Sequence, residues 1–322
     1  MSSTSLLLKD WIPYKLKTEG ETAYCQWLYL SDKLFAEPFF DQTISKCKSL
    51  KENSQLYRPV SAVSALTDWA PDLTTLNPSA IIFHVSRCGS TLLSQLLAQN
   101  ADNIALSEVP FFDDLLRWGF RNNTVQKILP AVKAAIAFYG IKRNNEQHLF
   151  IKADSWHIHF YKAYRELFPA IPIILLYRRP DEVIRSHQKQ PGMHAVQGVI
   201  EPSLFGFDDA VFHLSLDEYR AKVLEGYYNS FTAILQQDKK AFAFDYKEGM
   251  VNIIHQVMDI CGIPVTETQS NLIKERSTQH SKFPGQVFSE EVINDNPPVY
   301  LQPAFEAYYS LEKIRLTHQP TS

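Results

Sequence analysis

The sequence predicts an α/β protein: a parallel sheet between helical layers, three layers in all, with a small N-terminal appendage. Three observations predict it. From residue 80 onward, short apolar runs alternate with amphipathic helical stretches, the pattern of strands covered on both faces. One run, Ala80–Val85, passes through the tight polar turn Ser86-Arg87-Cys88-Gly89-Ser90-Thr91 directly into a helical pattern. Charged and hydroxyl residues recur where the strands end, which is where ligands sit on such sheets.

Taken in order, residues 1 to about 50 are rich in aromatics, with Trp11-Ile12-Pro13-Tyr14 followed by a strand-like run from Tyr24 to Leu30 and a short helix near Thr43. These aromatics read as core or dimer packing, which leaves a homodimer open. Residues 52–79 are richer in Ser, Thr and Pro and read as a connector with one short helix. Strands are expected at Ala80–Val85, Ile104–Leu106, Leu149–Lys152, Ile173–Tyr177 and Ala241–Asp245. Helices are expected near 90–100, 111–137, 156–167, 181–189, 209–237, 248–260 and 300–314. The organisation expected is an appendage and connector over 1–75 and one domain over 76–322.

Composition excludes several classes. With 45% hydrophobic and 21% charged residues the chain is not of the disordered type. A net charge of −3 gives no global field toward nucleic acid or membrane, so neither is expected as a partner, and any anion site must be local. The four cysteines, Cys25, Cys47, Cys88 and Cys261, are scattered and read as reduced thiols. Leu6-Leu7-Leu8 is too short for a secretion signal, and no apolar run has the length of a membrane helix. A cytoplasmic protein is the expectation.

The turn at 86–91 carries the chemistry. A strand–loop–helix aims backbone N–H groups and a helix N-terminus at one point, a ready anion site. Its end holds Gly, Ser and Thr but no Lys before the Ser, so it is not the triphosphate loop G-x-x-x-x-G-K-[ST]. Arg87 supplies the fixed charge. The other strand ends offer Ser107-Glu108, Lys152-Ala153-Asp154, Tyr177-Arg178-Arg179-Pro180 with Ser186 and His187 following, and Phe244-Asp245-Tyr246.

The run Ser86-Arg87-Cys88-Gly89-Ser90-Thr91-Leu92-Leu93 resembles the 5′-phosphosulfate loop of sulfotransferases that use 3′-phosphoadenosine-5′-phosphosulfate. The stretch from Ile174 through Arg178 to Ser186 is similar to their 3′-phosphate element, which maps the phosphate-reading Arg and Ser onto Arg178 and Ser186. Leu106-Ser107-Glu108-Val109-Pro110 is similar to the segment carrying the catalytic Glu in the tyrosylprotein and heparan-sulfate branches, and Phe244–Glu248 resembles a weaker family junction. The likeness covers roughly residues 80–260 and leaves the N-terminal segment unmatched. It implies a P-loop-like topology, that co-substrate, and cofactor contacts from Ser86, Arg87, Cys88, Gly89, Ser90, Thr91, Arg178 and Ser186. Lys282 is the candidate for the segment that closes over the cofactor.

Sulfuryl transfer needs a base for the acceptor and cations for the leaving oxygen. Glu108, or Asp154 in its place, is the candidate base, and Arg87 and Lys152 are the candidate cations. A sulfuryl group carries less charge than a phosphoryl group, so no metal is expected. Each residue also has a structural reading. Glu108 could merely favour a helix dipole, Lys152 could be a solvated strand end, and Asp154 could be an N-cap. Arg179 reads as structural, and Cys88 as a small side chain filling the loop. His157 and His159, two apart on a helix, would face away from each other rather than share a metal. The irregular segment 190–212 has the character of a functional loop. The acceptor, a small molecule or a peptide, is not legible. Two other readings stay open: a triphosphate-dependent phosphotransferase, and a nucleotide-binding scaffold without catalysis.

Overall fold

Trp11–Glu19 (β1), apolar in its first half, and the largely buried Thr22–Tyr29 (β2) pair antiparallel with Trp11 opposite Tyr29 and Glu19 opposite Thr22. The register shifts between Pro13 and Lys15, a bulge at which the missing proline N–H costs no ladder bond. Phe40–Cys47 forms α1, and Val60–Ala62 (β3) pairs with β2. The expected connector thus contains a third strand as well as one short helix, Ser64–Trp69 (α2). The computed structural model describes residues 8–20, 22–277 and 297–318.

The strand–helix alternation then begins. Pro78–His84 (β4) leads to Ser90–Ala98 (α3), and Asn103–Ser107 (β5) to Pro110–Arg121 (α4). A separate helix follows, Val125–Tyr139 (α5). The single helix expected over 111–137 is therefore two. Asn123 sits in the left-handed region at φ 53°, and the Thr124 N–H turns back to the Gly119 carbonyl at 2.7 Å. His148–Lys152 (β6) is followed by a 3-10 turn, Ser155–Phe160, before Tyr161–Leu167 (α6). Ile173–Tyr177 (β7) feeds Pro180–Lys189 (α7). Leu216–Gln237 (α8) starts only at a capping box, where Ser215 Oγ accepts the Glu218 N–H at 3.3 Å and Glu218 accepts the Ser215 N–H at 2.8 Å. Ala241–Asp245 (β8), Met250–Ile260 (α9), Glu267–Ser277 (α10) and Gln302–His318 (α11) complete the described chain. Helix α10 escapes a sequence reading because only Ile273 on it is buried, so it shows no apolar stripe.

The fold is α/β, with a five-stranded parallel sheet in the order β5-β6-β4-β7-β8 flanked by helices. All five residues of β7 are fully buried, as an interior strand covered on both faces requires. By contacts the chain divides into two compact units. Among the described residues, the first lies within Met1–Ser79, Ser94–Lys152 and Lys162–Pro169, and the second within Ala80–Leu93, Ala153–Tyr161 and Ala170–Ser322. The first holds the antiparallel sheet and the β5–β6 pair, with Ser107 opposite Lys152. The second holds β4, β7 and β8, with His84 opposite Leu176 and Tyr177 opposite Asp245. Among the described residues no helix is long and apolar enough to cross a membrane.

Candidate functional site

In the second unit, β4 ends at His84 and the chain turns sharply. The Val85 N–H donates to Leu176 O at 3.2 Å, the last sheet bond. Ser86 and Arg87 then sit at φ 66° and 51°, and Gly89 at 82°. Left-handed conformations cost a non-glycine residue about 1–3 kcal/mol each, so two in succession persist only where neighbours hold them. Those neighbours are visible. The Ser86 N–H donates to His84 Nδ1 at 3.0 Å, and the Cys88 thiol to Leu176 O at 3.3 Å. Cys88 is fully buried, which fits its structural reading. Gly89 is required twice over. Its φ favours glycine, and a Cβ there would lie 2.6 Å from Tyr246 Cε2 and 2.7 Å from Met250 Cε. Buried Ser90 and Thr91 open α3, and the Leu93 N–H donates to Gly89 O at 3.0 Å. The N-terminal N–H groups of α3 thus face the loop.

The loop meets the end of β7 in the same unit. Arg87 Nε donates to Ser186 Oγ at 2.7 Å, and Arg87 Nη2 to Ser186 O at 3.4 Å. Arg178 pairs through Nε with Glu182 Oε2 at 2.6 Å, and its guanidinium lies 4.5 Å from the centre of the Tyr246 ring. The Tyr228 hydroxyl fixes the Arg178 carbonyl at 2.7 Å. Burial, and then the charge of Arg178, lower the Arg87 pKa. Two guanidinium groups in one partly buried place favour an anion held between them. Arg179 turns elsewhere, to Asp181 at 2.8 Å and over the Phe305 ring, in keeping with its structural reading.

Beside Tyr246 lies an ion network centred on the buried Asp245 and Glu312. Asp245 Oδ1 accepts the Lys247 N–H at 3.0 Å, and Glu248 accepts the Asp245 N–H at 2.7 Å, a second capping box. Tyr308 on α11 donates to Asp245 Oδ2 at 2.5 Å. Glu312 on α11 accepts from Tyr177 and Lys247, and from Arg315 Nε at 3.0 Å, while Arg315 Nη1 reaches Glu248 at 3.0 Å. Burial alone would raise the Glu312 pKa, but these donors outweigh it and hold it below the usual carboxylate range.

The first unit contains Glu108 and Lys152 as a pair. Lys152 is 1% exposed, and its ammonium donates to Glu108 Oε1. It also lies 3.5 Å from Ser107 Oγ and 5.6 Å from the centre of the Phe39 ring. Glu108 is itself left-handed at φ 53°, held by its N–H donating to Lys152 O at 2.8 Å. Lys152 is therefore not a solvated strand end. Asp41 on α1 senses the same carboxylate. Burial first, and then the Glu108 charge, raise its pKa against the opposing pull of Lys48.

Asp154, in the second unit, occupies the cap position before the Ser155–Phe160 turn but makes no capping hydrogen bond. The N-cap reading is corrected accordingly: Asp154 lies 3.6 Å from His157 Nε2 instead. His157 and His159 share that 3-10 turn; His157 is buried beside Asp154, and His159 lies against Phe205 and Tyr227. Lys282 lies outside the described residues. The structure thus brings together Ser86–Thr91, Arg178 and Ser186 in one unit, and Glu108 and Lys152 in the other. Sequence reasoning did not single out His84, Asp41 or Glu182 for the site, and gave Tyr246 no role of its own. The four-residue spacing of Arg178 and Glu182 was a legible signal; the others depend on long-range packing.

The chain matches no protein-family model and no curated protein. It is similar to several solved structures. A sulfotransferase from Alicyclobacillus acidocaldarius is 15% identical with a TM-score of 0.43, over 76% of this chain and 98% of that one. Sulfotransferase STF1 from Mycobacterium tuberculosis H37Rv is 11% identical with a TM-score of 0.42, over 66% and 80%. The sulfotransferase domain from the curacin biosynthetic pathway is 14% identical with a TM-score of 0.42, over 77% and 94%. These are likenesses of chain path at low identity.

Proposed function

We propose that this chain is a sulfotransferase that moves a sulfuryl group from 3′-phosphoadenosine-5′-phosphosulfate to a hydroxyl or amine acceptor, with the chemistry in residues 76–322. One observation carries the reading. Arg87, in the loop that resembles the 5′-phosphosulfate element, hydrogen-bonds Ser186 of the segment that resembles the 3′-phosphate element. The two segments come from residues 99 apart in sequence, and Arg178 adds a second guanidinium. A molecule with anionic groups at both ends suits such a pair of elements better than a lone phosphate does.

In this reading the backbone N–H groups of Gly89, Ser90 and Thr91 and the Arg87 guanidinium hold the 5′ end, and Arg178 and Ser186 hold the 3′-phosphate. Ser186 and the ligand compete for Arg87, so binding loosens the Arg87–Ser186 bond. Glu108 takes the acceptor proton, with Asp154 as the second candidate. Lys152 is the ion-pair partner of Glu108, and the cations Arg87 and Lys152 favour departure of the leaving oxygen.

A thermal-shift comparison of adenosine 3′,5′-bisphosphate, AMP, ADP and ATP with Mg²⁺ tests the reading. At a hundredfold excess over Kd a ligand that binds only the folded state adds about 2.7 kcal/mol. The bisphosphate should raise Tm most, and Arg178→Ala should reduce that gain far more than the gain from AMP. Stabilisation by ATP with Mg²⁺ and none by the bisphosphate would overturn it in favour of a phosphotransferase.

A further inference from the structure

We propose that His84 is a positioning residue of the phosphate loop: its neutral imidazole, protonated on Nε2, holds Ser86 in the left-handed conformation that delivers Arg87 to Ser186. The inference rests on the sulfotransferase reading only for the ligand that serves as probe.

His84 is 3% exposed, at the last position of β4. Its ring spans two backbone groups. Nδ1 accepts the Ser86 N–H at 3.0 Å, and Nε2 donates to Ala153 O at 3.0 Å. One partner is a donor and the other an acceptor, so a single protonation state satisfies both: no proton on Nδ1 and one on Nε2. An imidazolium would turn an N–H against the Ser86 N–H, and the other neutral tautomer would fail at both ends.

The position gives the contact its consequence. Ser86 and Arg87 are consecutive non-glycine residues at φ 66° and 51°. The N–H that His84 accepts belongs to the first of them, so the bond acts where the chain leaves the ordinary backbone regions. The other end of the ring is equally fixed, because the Ala153 N–H donates to Ile82 O at 3.0 Å. His84 is thus braced on a residue already tied to its own strand. Loss of the Nδ1 acceptor frees the loop at its first strained residue, and Arg87 is the next residue along. His84 touches neither acceptor nor co-substrate in this account; it acts through the loop.

Two substitutions separate the ring's two ends. Asn carries its side-chain oxygen near the place of Nδ1, and Gln carries its polar end near Nε2. His84→Asn should keep the Ser86 acceptor, His84→Gln should keep only the Ala153 contact, and His84→Ala should lose both. The first measurement is amide hydrogen exchange at Ser86 in the free protein. Exchange should stay near the wild-type rate in His84→Asn and rise about tenfold or more in the Gln and Ala variants. The second is the Kd of adenosine 3′,5′-bisphosphate by calorimetry, with Tm measured alongside. Affinity should stay within about threefold in Asn and fall about tenfold in Gln and Ala. A purely structural role would lower Tm in all three and leave Kd alone, which overturns the proposal. Equal loss in Asn and Ala overturns it too. If the wild-type protein does not bind the bisphosphate, the functional reading falls, and the exchange rates at Ser86 still decide for or against His84.

Discussion

Glu108 and Lys152 constrain each other in any reaction they serve. Lys152 is 1% exposed and Glu108 24%, so Glu108→Gln leaves an ammonium buried without its counter-charge. Breaking a fully buried pair costs about 3–5 kcal/mol. The partial exposure of Glu108 reduces that to about 1–3 kcal/mol. Lys152→Met in the Glu108→Gln background removes the stranded charge and should restore part of the loss. A double-mutant cycle by urea unfolding should therefore give a coupling of about 1–3 kcal/mol. Strict additivity would mean that the pair contributes nothing. Loss of turnover in Glu108→Gln counts as loss of a base only at temperatures where that variant is folded.

The elements read from sequence divide by how local their causes are. Strands β7 and β8 begin and end where the sequence places them, because continuous apolar runs bounded by polar residues leave one interpretation. The loop after β4 is equally local; Arg178 and Ser186 were expected from the separate likeness of the stretch from Ile174 to Ser186. What stayed hidden depends on distant partners. Strand β1 contains Pro13, which argues against a strand until the bulge is seen. The break between α4 and α5 rests on left-handed Asn123 and the Thr124 N–H that turns back to the Gly119 carbonyl. The roles of His84 and Tyr246 arise only after the chain folds back on them. Helix α11 belongs here as well. Its charges look like a solvated face, yet Tyr308, Glu312 and Arg315 fasten it to the end of β8. Glu312→Gln strips charge from three donors, with Arg315 itself buried. We expect a loss of about 2–4 kcal/mol, and faster proteolysis within α11 than elsewhere. Wild-type stability and cleavage in that variant would refute a fastening role.

For the whole molecule, stability against pH follows from which groups change affinity for protons on folding. Burial lowers the His159 pKa from 6.5 to about 4, and Nε2 of its ring has no hydrogen-bond partner among the described residues. The unfolded chain therefore takes up a proton below pH 6.5 that the folded chain refuses until about pH 4. Folding is fully supported above that window and loses support as pH falls through it. His148, also lowered by burial, adds in the same direction. Glu37 acts lower down. Burial would raise it, but hydrogen bonds from Lys33, Thr43 and Lys46 outweigh burial and bring it from 4.5 to about 2. Its support is present above pH 4.5 and disappears toward pH 2. Asp41, Asp114 and Glu248, raised mainly by burial, work the other way and gain support on acidification near the carboxylate range. The decline due to His159 thus begins near pH 6.5, ahead of the loss due to Glu37, which begins near pH 4.5. His159→Phe, which replaces the imidazole with a ring among Phe205 and Tyr227, should change stability little at pH 7.5. It should recover about 2 kcal/mol of the acid-side loss by pH 4.5. Urea unfolding at half-unit pH steps on both proteins measures this. Parallel curves for the variant and the wild type would move the acid sensitivity to other groups.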